Sequence, residues 1–403
     1  MAGGAQAATV KFEPGPDAQT QVQEAFILSE PGTVFEFAAG TFVFNQSLSL
    51  DVDGCAVRGA GMDKTILTFK DQDAGAEGLY ITADNITMED FAVEDTSNNA
   101  IKSNAANNIV YRRLRAEWTS GPKSTNGPYG FYPVSSQNVL IEDCVVRGAS
   151  DAGVYVGQSE HVILRRNLAE FNVAGIEIEN CHWADVYENT ATRNTGGILV
   201  FDLPGLPVQK GRDVRVFDNK VLNNDTVNFA PEGNIVGNVP TGTGVMVMAN
   251  SYVEIFNNEI DGNQTANIII SSYLSTSQKK EISPDYYPWP EHIHIHNNTI
   301  GGGGNNPMGP GGLAMAMLAG KPLPDIVWDG MFNPEKAVDG VLPKELGLSI
   351  HDNVKKGGGD VSFVDLDGNV AFQDPAKATL RRDIKAHAEP FKALVPVVIK
   401  GVK

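Results

Sequence analysis

A short apolar strand headed by a small residue returns along the middle of this chain at a nearly fixed interval. It begins at Gly130, Gly153, Gly175, Gly197, Gly244 and Asn267, giving steps of 23, 22, 22, 47 and 23 residues. A second strand recurs between these and ends in an asparagine, at Asn167, Asn189, Asn219, Asn258 and Asn298, with Cys144 in that column one repeat earlier. One such unit cannot bury its own inner face, so units must stack, with neighbouring strands about 4.8 Å apart. A constant period of this length with two or three short strands marks a solenoid coil. A β-sandwich would not keep the period, and a leucine-rich repeat would need a leucine frame that is absent. The spacing therefore predicts an all-β chain, a single-stranded right-handed parallel β-helix. Asparagine at one fixed turn tolerates left-handed backbone, and its amide can bond its equivalents above and below.

The ends differ from the middle. Residues 1–16 read as a flexible N-terminus, and Asp17 to Leu28 as an amphipathic helix with an Asp N-cap that covers the first coil. The repeat spans 17–300, and residues 301–403 form an irregular C-terminal extension that packs on the solenoid or closes its far end. Met1 to Ala8 carries no basic or apolar leader region. It reads either as an intact cytoplasmic start or as a start codon set on a mature exported chain; the fold leans towards export, so an extracytoplasmic location is expected. Three cysteines, Cys55, Cys144 and Cys181, lack metal spacing and read as small buried hydrophobes.

Among 403 residues the net charge is −18, which excludes nucleic acid as a partner because phosphate binding needs a basic surface. No run of 18 apolar residues exists, so no membrane span is expected.

Alternation along the strands divides inside from outside. Phe131, Val154, Ile176, Ile198, Val245 and Ile268, with the residues two further on, are apolar and point in. The outward column between them reads Tyr80, Lys102, Tyr132, Tyr155, Glu177, Leu199, Met246 and Ile269; the next reads Thr82, Asn104, Val134, Gly157, Glu179, Phe201, Met248 and Ser271. Four insertions, Thr119–Pro128, Leu203–Arg212, Thr226–Thr241 and Leu274–Pro290, flank the two edges of this same strand column. Insertions on one face are where solenoids build sites. A groove floored by the outward column suits a polysaccharide or oligosaccharide, with tyrosines as flat amphipathic contacts.

The runs Ser150 to Ser159, Val173 to Asn180 and Asn194 to Pro204 resemble the pectin-lyase-like superfamily of parallel β-helices, and more narrowly a group of exported bacterial parallel β-helix repeat proteins. Tyr129–Val134 (YGFYPV) is similar to the Tyr-Gly-Phe-Asp-Pro-His motif of alginate C5-epimerases. There the Tyr, Asp and His belong to the catalytic site, and a lysine from a preceding coil assists. Tyr129 matches the motif's tyrosine and Lys102 its lysine, while Tyr132 and Val134 stand where the family has Asp and His. The resemblance implies a lyase or C5-epimerase acting on a uronate-containing glycan.

Such chemistry needs a cation near the uronate carboxylate, a base and a proton donor. Lys102 or Lys123 can supply the charge, and Tyr132 or Tyr155, with a phenol pKa lowered beside a lysine, the proton transfer, while Tyr129 is catalytic by its match to the motif. Glu177, Glu179 and Asp202, with Asn104, can contact substrate; the three acids can instead hold Ca²⁺. Glu177 and Glu179 are also a candidate acid/base pair for glycoside hydrolysis. The blander readings are a cross-strand tyrosine stack, a solvated lysine and ordinary outer-face acids. His292, His294 and His296 alternate on one strand and offer metal ligands. Arg112, Arg113, Arg115, Arg165 and Arg166 read as a solvated face offsetting acids. A non-catalytic glycan-binding protein uses the same groove, and the apolar column Leu199, Phe201, Met246 and Met248 offers a surface to an exported protein partner.

Overall fold

The computed structural model describes residues 8–276 and 282–402. Residues 1–7, which hold most of the exported-start reading, and 277–281 of the fourth insertion lie outside them.

Because each short strand leaves one apolar face uncovered, the chain coils so that every strand pairs in parallel with its counterpart one turn away. The result is a right-handed parallel β-helix of three sheets, with 12, 11 and 11 strands. The first runs from Thr9–Phe12 to Leu348–His351, the second from Gly40–Val43 to Val354–Lys355, and the third from Gln46–Leu50 to Phe363–Asp365. Crossovers between parallel strands are right-handed because a right-twisted strand packs back only that way.

The inward column lies in the third sheet in unbroken register: Phe131 opposite Val154, then Ile176, Ile198, Val245 and Ile268. All are fully buried. The first coils fill the same space with aromatics, among them Phe35, Phe42, Phe44 and Phe69.

The turn asparagines form a continuous ladder. Asn189 Oδ1 accepts from both the backbone N and Nδ2 of Asn167 (3.0 and 2.9 Å), and Asn189 repeats this on Asn219 (2.9 and 3.0 Å). The pattern continues through Asn258 and Asn298 to Asn353, and Cys144 N opens it by donating to Asn167. Each Nδ2 also donates to an inner-strand carbonyl, as Asn189 does to Leu164. The left-handed backbone falls one residue earlier than expected, at Arg166, Glu188, Asp218, Asn257 and Asn297. The ladder asparagine is needed for its amide, and its exposed neighbour turns the chain. A second ladder, Asn172, Asn194, Asn224 and Asn263, stands five residues on at the next corner.

Both ends depart from the expected boundaries. Thr9–Phe12 is no loose tail but a strand paired with Val34–Phe37. Helix α1 (Ala18–Leu28) follows Asp17 and buries Ala18, Val22 and Phe26 over the first coils, although the Asp17 side chain makes no cap bond. Coiling does not stop at Ile300: Ile326–Trp328, Leu348–His351, Val354–Lys355 and Phe363–Asp365 extend all three sheets. Their repeat is hidden in the sequence by intervening segments, including helix α2 (Gly309–Ala319). The tail then returns along the first sheet, where Ile399 packs on Leu140 and Ile163. The three cysteines are free and buried. On the same sheet Glu142 accepts from Arg112 (2.6 Å) and pairs with Arg165 and Arg166 (2.7 Å each), the charge-offsetting face expected of these arginines.

Asn189→Ala removes an acceptor from Asn167 and a donor from Asn219, both buried, at about 1–3 kcal/mol for each group left unmatched. Its urea midpoint is expected to fall clearly, whereas exposed Gln137→Ala should change stability by no more than about 0.5 kcal/mol.

Candidate functional site

The outward column of the third sheet stacks as read from the sequence. Lys102 lies between Tyr80 and Tyr132, Tyr155 is opposite Glu177, and the column continues through Leu199, Met246 and Ile269. All four insertions join this sheet's edges, between its strands and those of the other two sheets. They do not merely wall the column; they bury most of it, and it divides into three zones.

The accessible zone holds Tyr80, Lys102, Asn104, Tyr129 and Tyr132, all half-buried. Lys102 Nζ sits 5.0 Å from the Tyr132 ring centre and 3.8 Å from Glu77. Lys123 is exposed in the first insertion. Tyr129, Tyr132 and Tyr155 form a nest of rings with centres 4.6 to 5.0 Å apart. Pairs at this range add to the apolar area they bury.

Behind the nest lies a buried acidic zone. The Tyr155 hydroxyl donates to Glu179 Oε1 at 2.5 Å and receives Gln158 Nε2 at 3.2 Å. Glu177 is 3% exposed, and its Oε2 has no hydrogen-bond partner. Asp151, which opens the strand Ala152–Gly157, accepts from Asn234 Nδ2 of the third insertion (2.9 Å) and from Tyr129. Sequence reasoning missed Asp151; its signal was its place just before a strand of the site column.

Burial dominates the electrostatics here. It pushes the Asp151 carboxyl up to about 7, although the bonds from Asn234 and Tyr129 oppose this. Burial, then the charges of Glu179 and Asp151, hold Glu177 far above the usual carboxylate range. The phenols move the same way. Tyr132 rises to about 12 by burial and then by Glu179, Asp151 and Glu77, and Tyr129 and Tyr155 rise well above their ordinary value. The expected lowering by a lysine does not occur, because Lys102 is held against Glu77 while the rings lose water. The tyrosines are therefore proton donors rather than phenolate bases, and Glu177 holds its proton more tightly than an ordinary carboxyl.

The acids read as a Ca²⁺ set do not converge. Among the described residues no three carboxylates gather as ligands. Glu179 is taken by Tyr155, while Asp202 Oδ1 accepts from Gly211 N at 2.9 Å, and burial raises its carboxyl to about 7.

The third zone is apolar and closed. Leu199, Phe201 and Met248 are covered by Leu203, Val236, Val239, Tyr273 and Tyr286 from the chain's own insertions. The surface expected to face a protein partner is thus internal. Beside it a cavity of about 390 Å³ remains between Met246, Met248 and Ile269 and the α2 residues Met315 and Leu318.

Raised carboxyls carry a sign. Glu177 binds its proton more tightly folded than unfolded, so its contribution is full below the unfolded carboxylate range near 4 and is lost as pH rises through its folded value. Glu177→Gln should therefore melt at a higher temperature than the parent at pH 8 and near the parent at pH 4, read by thermal unfolding at both.

Comparison with known proteins agrees with this architecture. The family model described as a right-handed β-helix region matches residues 42–208. The A-module of a mannuronan C-5 epimerase from Azotobacter vinelandii is similar at 16% identity and a TM-score of 0.51, covering 86% of this chain and 92% of that one. A family 28 exopolygalacturonase from Yersinia enterocolitica is similar at 11% identity and a TM-score of 0.54 (87% and 72% covered). A lacto-N-biosidase from Eubacterium ramulus is similar at 13% identity and a TM-score of 0.52, covering 81% and 62%. Among curated proteins, none matches this sequence.

Proposed function

We propose that this chain, a right-handed parallel β-helix, is a carbohydrate-active enzyme that binds an extended glycan across Lys102, Asn104, Tyr129 and Tyr132. The reaction class we infer is proton transfer at C5 of a uronic acid, as in a lyase or epimerase. One observation carries this reading: Asp151, raised to about 7, shares a hydrogen bond with Tyr129 inside the tyrosine nest. A group poised near neutral pH is what both steps of such a reaction require.

In this reading ionised Asp151 takes the C5 proton and its electron pair passes into the uronate carboxyl. Lys102 offsets the charge that develops there. A phenol proton from Tyr132 then passes to O4 as the C4–O4 bond breaks, giving the unsaturated product and a free hydroxyl end. Alternatively, a phenol proton from Tyr132 or Tyr155 returns to the opposite face of C5 and inverts it. The raised proton affinity of Glu177 reduces the negative charge that a polyanion meets here, with Glu179 fixing Tyr155 and exposed Lys123 meeting the chain further out. Since polymeric uronates are matrix and wall components, the reading carries an extracytoplasmic location; among the described residues no helix is long and apolar enough to cross a membrane.

A second reading, glycoside hydrolysis, is favoured by the neighbouring pair of Glu177, whose carboxyl burial raises far above the usual range, and Glu179, which accepts from Tyr155. Acid-assisted cleavage uses two carboxyls, one of which holds its proton.

A panel of uronate polysaccharides distinguishes the two. The first reading expects ultraviolet-absorbing unsaturated ends or deuterium uptake at C5, and the second reducing ends without either. Lys102→Met should lower kcat by about 10²–10⁴ with unchanged melting, and Asp151→Asn should lower it by a similar factor. Absence of turnover and wash-in across the panel sinks the enzyme reading and leaves glycan binding alone.

A further inference from the structure

The histidine-rich strand Glu291–His296 lies in the first sheet, on another face from the site above. Its register sets Glu254 of the preceding coil opposite His294, and His351 of the following coil opposite His296. His294, His296 and His351 bring their ring nitrogens within 4.8 Å of one another, and Glu254 Oε1 lies 3.1 Å from His296 Nε2 and 3.6 Å from His294 Nδ1. His292, the third histidine of the run, is not in this group. Its backbone is left-handed (φ 56°), and its ring turns to the Glu345 carbonyl and stacks on Phe391.

The other ring atoms are arranged as metal ligands need them. His351 Nδ1 bonds Asp352 Oδ2 at 2.8 Å and His296 Nδ1 bonds Asn297 Oδ1 at 2.6 Å. For His351 this leaves the Nε2 lone pair facing the cluster, whereas His296 Nε2–H donates to the Glu254 carboxylate and would give up that hydrogen on binding a cation; such outer partners orient most metal-bound imidazoles. His351 Nε2 stands 2.8 Å from His294 Nε2. His294 is 5% exposed, and its Nδ1 is buried without a hydrogen-bond partner. If His294 Nε2–H donates to His351, a bare Nδ1 lone pair is turned towards the Glu254 carboxylate. Were Nε2 to bind a cation instead, Nδ1 would carry the hydrogen and face that carboxylate favourably.

We propose that His294, His296 and His351 bind a zinc-class divalent ion through Nε2, with Glu254 beside it as the carboxylate. Three imidazoles and one carboxylate suit Zn²⁺, whose nitrogen ligands sit at about 2.0–2.1 Å. The ion would tie three consecutive coils together. It would also sit beneath the returning tail, because Leu394 N donates to Glu254 Oε2 (3.0 Å) and the Glu389 carbonyl accepts from Ser349 Oγ (2.7 Å). The site is independent of the proposed carbohydrate chemistry.

The test uses the whole chain, stripped with chelator and titrated with ZnCl₂ and, separately, with CoCl₂. One ion per chain, visible d–d absorption of the Co²⁺ form typical of nitrogen–oxygen ligation, and a Zn²⁺-dependent rise in melting temperature are expected. His294→Asn and His351→Asn should weaken binding by about 100-fold or more. Asp352→Asn, at an exposed position that does not endanger folding, should weaken it by about tenfold. His292→Ala should bind as the parent does. Absence of stoichiometric binding to the parent overturns the proposal, as does binding that survives the His351 change or is lost with His292.

Discussion

Everything in this fold depends on satisfying the polar atoms that stacking buries at the corners. A coil must turn about every seven residues, and each turn presents backbone and side-chain amides that the next coil covers. The asparagine ladder resolves this by giving each Oδ1 two donors from the coil before and each Nδ2 an acceptor in the coil after. A single such bond contributes only about 0.5–1.5 kcal/mol net. A shift in stacking register by one residue would break the whole column and turn apolar side chains outward. The ladder thus sets register more than it sets stability.

With register held, neighbours on the outer face are decided by coil number. Lys102, Tyr132, Tyr155 and Glu177 stack because they hold one position in successive turns. Insertions then change the solvent along that column. Where the first insertion leaves room, lysine and tyrosine keep contact with water. Where the later ones close over it, acids lose theirs and hold protons more tightly, and beyond them apolar side chains form a second core. The same stacking rule on the first sheet gathers one carboxylate and three histidines from three coils.

The parts legible in the sequence were those that repeat. The inner columns, the outer column, the cysteines and the first ladder all follow from a constant period. What escaped did so for physical reasons. Asp151 lies one residue outside the strand pattern, and its significance comes from Asn234, 83 residues away. His351 sits beyond long intervening segments that conceal the final coils. The phenol pKa values were misjudged because a neighbouring charge is visible in a strand pattern, whereas the burial that outweighs it is not.

Sequence alone determined that this chain is a solenoid, which side chains point in, and which strands carry the insertions, because all three are properties of local periodicity. Only the tertiary structure decided which outward residues remain in water. Solvent access depends on where each insertion folds back, and no period encodes that path. The working face read from the repeat is thereby reduced to a half-buried patch around Tyr129 and Tyr132, backed by acids that burial makes harder to ionise.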